Sequence, residues 1–140
     1  MEQEVGSIKD KVPRNKEFMK INDIERPIVI SGPCSAETEE QVHETARQLK
    51  LTGQVDILRA GIWKPRTRPN SFEGIGEKGL QWLIDAGKET GIPVITEVAN
   101  AKHVELCLKA GFEKLWIGAR TSTNPFGGQE IADALEGTGV

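Results

Sequence analysis

The stretch "WKPRTRPNSFEG" (63–74) sets Lys64, Arg66 and Arg68 within five residues, directly after the apolar run "VDILRAGI" (55–62), which itself contains Arg59. Cations are usually scattered along helices among acidic partners; here Pro65 and Pro69 stiffen the segment that groups them. A guanidinium presents a planar fork and an ammonium a point charge, so the two together suit carboxylates and phosphates. The spacing therefore points to an anionic ligand held at a strand end. Other chemically able residues fall at equivalent places: Cys34 just after "RPIVISGP" (26–33), Glu97 within "PVITEVA" (93–99) and Arg120 at the end of "KLWIGAR" (114–120).

The elements that must position these residues repeat in a simple order: a short apolar run, a loop, then an amphipathic segment. The run 26–33 precedes a predicted helix over 35–53, with Ser35 as its cap, acidic residues early, Arg47 and Lys50 late, and Gly53 as terminator. Val42, Ala46 and Leu49 form its apolar stripe. The second unit is strand 55–62, loop 63–77 and helix 78–91; the third is strand 93–99 and helix 101–111. The fourth is strand 114–120 and a helix near 127–137, whose start Gly127 and Gly128 are expected to loosen.

Alternating strands and helices imply βαβ units around a parallel sheet. The expected class is α/β, either an open flavodoxin-like sheet or the first half of a (β/α)8 barrel. Both gather ligand-binding residues at the C-terminal strand ends, where Cys34, Arg59, Lys64, Glu97 and Arg120 lie. Residues 1–25 are polar and weakly periodic and read as an N-terminal extension, and 26–140 as about four βα units.

Composition narrows the ligand. A net charge of -3 argues against a nucleic-acid binder, so a locally basic cluster on an acidic chain points to a small molecule. The two cysteines, Cys34 and Cys107, imply no disulfide framework. No apolar run reaches the roughly 18 residues of a membrane span, and the N-terminus has no signal-peptide core, so the expectation is a soluble, cytoplasmic protein.

Simpler readings stand beside these. A cysteine after a strand is most often a small buried hydrophobe, and Arg68 is expected in a solvated loop. "GIGEKG" (74–79) matches a dinucleotide fingerprint in form, but it follows a proline-containing loop rather than a strand. His103 and Cys107, four apart on one predicted helix, are expected to pack rather than to bind metal. His43 is expected to be structural, Trp63 to wall the pocket, and Trp82 and Trp116 to belong to the core.

Taken together, "GPCSAE" (32–37), "RAGIWKPRT" (59–67), "SFEGIGEKGL" (71–80), "TEV" (96–98) and "IGAR" (117–120) resemble the 3-deoxy-D-arabino-heptulosonate 7-phosphate (DAHP) synthase family. The resemblance is to its short β-type branch, related to 3-deoxy-octulosonate 8-phosphate synthase, and "KPRT" favours the former. It implies a (β/α)8 barrel that condenses phosphoenolpyruvate with erythrose 4-phosphate, the first step of the shikimate pathway. It also implies a divalent metal of the Mn, Fe, Co or Zn class. Residue by residue, Cys34 matches the metal ligand. Arg59, Lys64 and Arg120 match groups that hold phosphoenolpyruvate, with the backbone near Ala119 assisting. Lys64, Pro65, Arg66 and Thr67 match the erythrose 4-phosphate loop, Glu97 an acidic residue beside phosphoenolpyruvate, and Lys64 is the expected proton carrier.

The resemblance covers about residues 26–137 and matches the N-terminal half of that barrel. The family's other metal ligands, a His, a Glu and an Asp, are expected in a second half that these residues do not include. The chain is therefore expected to be incomplete and inactive alone, and to form homo-oligomers or dissolve poorly through exposed strand edges. The alternative is a non-catalytic module, derived from that fold, that binds phosphate or another anion.

Overall fold

The computed structural model describes residues 26–64, 66 and 68–140. The expected N-terminal extension, residues 1–25, lies outside the described residues. Four strands, β1 (Ile30–Ser31), β2 (Ile57–Arg59), β3 (Val94–Val98) and β4 (Leu115–Ile117), alternate with helices α1 (Glu39–Thr52), α2 (Lys78–Thr90) and α3 (Ala101–Ala110). A one-turn helix, α4 (Ala119–Ser122), and a final helix, α5 (Pro125–Leu135), follow β4.

All neighbouring strands are parallel, in the order β1-β2-β3-β4. That order decides between the two expected architectures. A flavodoxin-like sheet reverses its strand order beside the first strand, whereas a barrel adds each strand next to the last. The sheet therefore has the topology of consecutive barrel βα units. The register, with Leu58 beside Val94 and Thr96 beside Leu115, brings the strands' C-terminal ends to one side.

The helices cover the sheet with the residues their periodicity selects. Val42 and Ala46 of α1, Leu80, Leu83 and Ala86 of α2, Val104 and Cys107 of α3 and Ile131 of α5 are buried with Leu58, Ile62, Val98 and Phe112. Leu49 packs on this core from its edge. Across α1 and α2, the Glu89 carboxylate meets His43 Nδ1 at 2.6 Å and the Arg47 guanidinium, so His43 serves the helix interface, away from the strand ends.

Several expectations need correction. Helix α1 is capped by Thr38, whose hydroxyl accepts the Gln41 N–H at 3.1 Å, and not by Ser35. Residues just before it remain a loop because the Ala36 N–H donates to Gly61 O on the next unit at 2.9 Å. The strands are shorter than their apolar runs. Beyond Ile117 the chain coils at once: the Thr121 and Ser122 N–H groups both donate to Gly118 O, so Ala119 and Arg120 lie in α4 rather than in β4.

The last helix begins at Pro125, where Asn124 accepts from the Phe126 and Gly127 N–H groups; this cap holds the first turn despite its glycines. Trp82 and Trp116 are half-buried rather than central. The Lys78 ammonium lies 5.8 Å from the Trp82 ring centroid, and Trp116 lies on β4, which has only one neighbouring strand among the described residues.

Candidate functional site

The first loop on the C-terminal side of the sheet leaves β1 at Gly32, which has φ 150° and sits so close to β2 that a Cβ there would lie 2.0 Å from Arg59 O. Only glycine allows that approach. The turn delivers Cys34, exposed, over the end of β2. Gly61 supplies the other half of the fit: a Cβ at that position would meet Cys34 O at 2.5 Å and Lys64 Nζ at 2.8 Å. Through this gap the Lys64 ammonium reaches Cys34 Sγ at 3.1 Å.

The contact defines the electrostatics of the site. The hydrogen bond from Lys64, and then its charge, hold the Cys34 thiol below its ordinary value of 9.0, with further help from Arg59 and Arg66 and against the effect of burial. Four of the predicted residues, Cys34, Arg59, Lys64 and Arg66, thus act on one another. Arg66 is itself steered by its Nε donating to Phe72 O at 3.0 Å. The Lys64 N–H donates to Glu73 O at 2.7 Å, and Trp63 bridges to Gly74, so the loop folds back on its own start. The expected loop residues Pro65 and Thr67 lie outside the described residues.

Glu97 leaves β3, half-buried, beside Gly118 at the end of β4, where even a Cβ would collide with its carboxylate. The absence of a side chain at Gly118 is what lets an acid occupy the end of that strand pair. Ala119 and Arg120 follow at once, both exposed, on α4. The expected residues therefore sit at the ends of all four strands, as a cationic rim with one carboxylate. Such a rim suits a ligand with a carboxylate and a phosphate, each able to take a guanidinium fork or an ammonium.

Three further residues support this rim. Thr96 is fully buried and donates from Oγ1 to Ala60 O at 2.8 Å, joining β3 to the turn after Arg59. The sequence assigned it no role; a threonine inside the apolar run "VITEV" was the available signal. Trp63 was expected to wall the pocket, and it stacks on His103 with ring centroids 3.9 Å apart and planes 6° from parallel. His103 Nδ1 accepts the Ala99 N–H at 3.2 Å, and burial holds its imidazole below the ordinary 6.5. Cys107 is buried, which pushes its thiol up to about 12.

The donor set does not by itself fit a catalytic divalent ion. Cys34 supplies one soft ligand, and among the described residues no group of three His, Cys, Asp or Glu side chains could hold a metal. Sites of defined geometry need several ligands.

Comparison with known proteins gives these features a common origin. The model of the DAHP synthetase I family matches residues 11–132. A phospho-2-dehydro-3-deoxyheptonate aldolase of Thermotoga maritima is 42% identical over 96 residues, which cover 69% of this chain and 28% of that protein. A 2-dehydro-3-deoxyphosphooctonate aldolase of an Azoarcus species is 36% identical over 88 residues, 58% of this chain and 32% of that one. Among solved structures, the DAHP synthase of Thermotoga maritima superposes with a TM-score of 0.68 at 35% identity, over 83% of this chain and 34% of that chain. A truncated form of the Thermotoga enzyme gives 0.60 at 33% identity, over 76% of this chain and 37% of that one. The chain thus spans about a third of the length of these relatives. With the family match running from before β1 to within α5, and the cationic strand ends in place, the chain belongs to the DAHP synthetase I family.

Proposed function

We propose that this chain carries the phosphoenolpyruvate-binding part of a DAHP synthase site, serving the condensation of phosphoenolpyruvate with erythrose 4-phosphate. The observation that carries the reading is the Lys64 ammonium held 3.1 Å from Cys34 Sγ, with the Arg59 and Arg66 charges acting on the same thiol. Arg59, Lys64 and Arg120 hold the carboxylate and phosphate of phosphoenolpyruvate, with the Ala119 backbone assisting and Glu97 beside them. Lys64, Pro65, Arg66 and Thr67 receive the phosphate end of erythrose 4-phosphate. The choice of this acceptor over that of the octulosonate enzymes rests on "KPRT" and on the somewhat higher identity to the heptonate relative, 42% against values up to 39% for octulosonate relatives.

In the reaction, the phosphoenolpyruvate methylene carbon forms a bond to the aldehyde carbon of the second substrate. The aldehyde oxygen takes a proton, water adds at the enol carbon, and the carbon–oxygen bond to phosphate breaks. Lys64 lies between the two substrate positions and is the residue to deliver that proton. A divalent ion supplies polarisation of the aldehyde in such chemistry; here Cys34 offers it one ligand, and the remainder must come from outside the described residues.

Two measurements on the 140-residue chain test this. Calorimetric titration with phosphoenolpyruvate is expected to show binding that Lys64→Met retains in weakened form. Consumption of erythrose 4-phosphate with manganese present is expected to be absent in the chain alone and to require the missing ligands. A chain that binds neither phosphoenolpyruvate nor inorganic phosphate sinks the proposal. Turnover by Lys64→Met in an otherwise complete enzyme removes the proton-carrying role. Binding without turnover once the ligand set is complete favours the non-catalytic anion-binding module.

A further inference from the structure

We propose that His103 is a positioning residue for Lys64: stacked on Trp63 and hydrogen-bonded to the end of β3, it fixes the start of the substrate loop against the third βα unit. The inference rests on the assignment of Lys64 to the substrates and adds the residue that sets where Lys64 stands.

The loop after β2 is largely closed on itself. The Lys64 N–H donates to Glu73 O, the Gly76 N–H donates to Ile62 O at 3.3 Å, and Trp63 bridges to Gly74. Bonds of this kind give the loop a shape but do not orient it on the sheet. On one side it is tied to the loop after β1, through the Ala36 N–H to Gly61 O and through Lys64 to Cys34. On the other side, the start of the turn is bonded to β3 through Thr96 Oγ1 and Ala60 O, and further along the tie to α3 is the face-to-face stack of Trp63 on His103. Trp63 immediately precedes Lys64, so a ring held in the stack restrains the backbone from which the lysine projects.

The imidazole is well suited to this place. Its Nδ1 accepts the Ala99 N–H, which fixes the ring plane and leaves the ring proton on Nε2. Its own backbone N–H donates to Asn100 Oδ1 at 2.9 Å, which anchors the residue in the first turn of α3. A leucine could fill the space without stacking as a flat ring, and a phenylalanine could stack but could not accept the Ala99 N–H. Histidine meets both requirements.

Hydrogen exchange on the full 140-residue chain, without ligand, tests the positioning. His103→Ala is expected to speed exchange at the Lys64 and Gly76 amides by about tenfold or more while α2 amides keep their protection. His103→Phe is expected to restore loop protection and to expose the Ala99 amide alone. Unchanged loop protection in folded His103→Ala, or an equal loss across all elements in both variants, overturns the proposal. If His103→Ala does not fold, Trp63→Leu takes its place, with the same loosening expected and unchanged protection again overturning it. Titration with phosphoenolpyruvate adds the functional readout: His103→Ala is expected to weaken binding by about ten- to a hundredfold although it touches no ligand. Loosening of the loop without weaker binding overturns the link to Lys64. A wild-type chain that binds no phosphoenolpyruvate defeats the functional assignment instead, and the exchange result still decides the positioning.

Discussion

Cys34 and Lys64 are thirty positions apart, and their 3.1 Å contact exists because Gly61 has no side chain to block it. The consequence is a thiol that ionises more readily than a free cysteine, while Cys107, buried and pushed up to about 12, does not ionise near neutrality. Iodoacetamide is therefore expected to label Cys34 and spare Cys107 in the folded chain, since the thiolate is the reactive form. The midpoint of labelling rate against pH should fall below 9.0 and move upward in Lys64→Met, because the largest influence on the thiol is the lysine hydrogen bond. A midpoint that stays in place on losing Lys64 would show that the two side chains do not meet in solution. The sequence placed both residues correctly at strand ends from their position after apolar runs. It could not show that they touch, because the gap at Gly61 appears only when β1 and β2 are side by side.

At the scale of elements, legibility followed the strength of local signals. Helices α1, α2 and α3 stop at Gly53, Gly91 and Gly111, each in the left-handed conformation, and glycine after an apolar stripe is a signal that sequence carries plainly. Their starts were harder: Ser35 and Thr38 are both competent caps, and the choice depends on the bond from Ala36 to Gly61, which is tertiary. Helix α4 was missed because one turn has no periodicity to read. Capping also separates the site's support from its scaffold. Asn100→Ala and Thr38→Ala each remove one helix cap, at a cost of about 1 kcal/mol in denaturant unfolding. Only Asn100 caps the turn that carries His103. With Trp82 and Trp116 replaced by phenylalanine, Trp63 emission is expected to change in Asn100→Ala and to stay constant in Thr38→Ala. Equal emission in the two variants would separate the cap from the stack.

For the molecule as a whole, two consequences concern conditions and company. Asp56 is held below the usual carboxylate range by Arg26 and the Val29 N–H, and Glu89 by Arg47 and His43. Both values are depressed in the folded state, so their stabilisation is present above the unfolded values of 3.8 and 4.5 and is lost as pH falls below them. His103, depressed from 6.5 by burial, adds an earlier loss that begins as pH falls below 6.5. Thermal unfolding from pH 8 to pH 3 is expected to show Tm falling in those two steps, the lower one diminished by salt because Arg26, Arg47 and Glu89 of these pairs reach solvent. A Tm that is flat down to pH 4 contradicts the assignment of His103. The sheet itself makes the last prediction. Among the described residues β1 and β4 each have a neighbour on one side only, and Ile30 and Ile117 on these edges are 49% and 43% exposed. Open strand edges with apolar side chains template pairing with another chain. The 140-residue chain is thus expected to sediment as dimers or larger species at micromolar concentration, and Ile30→Lys with Ile117→Lys to shift it toward monomer without loss of helix content. A wild-type chain that sediments as a single monomer species shows that these edges are not the adhesive surface, whereas association that survives both lysines places the contact on the helical face.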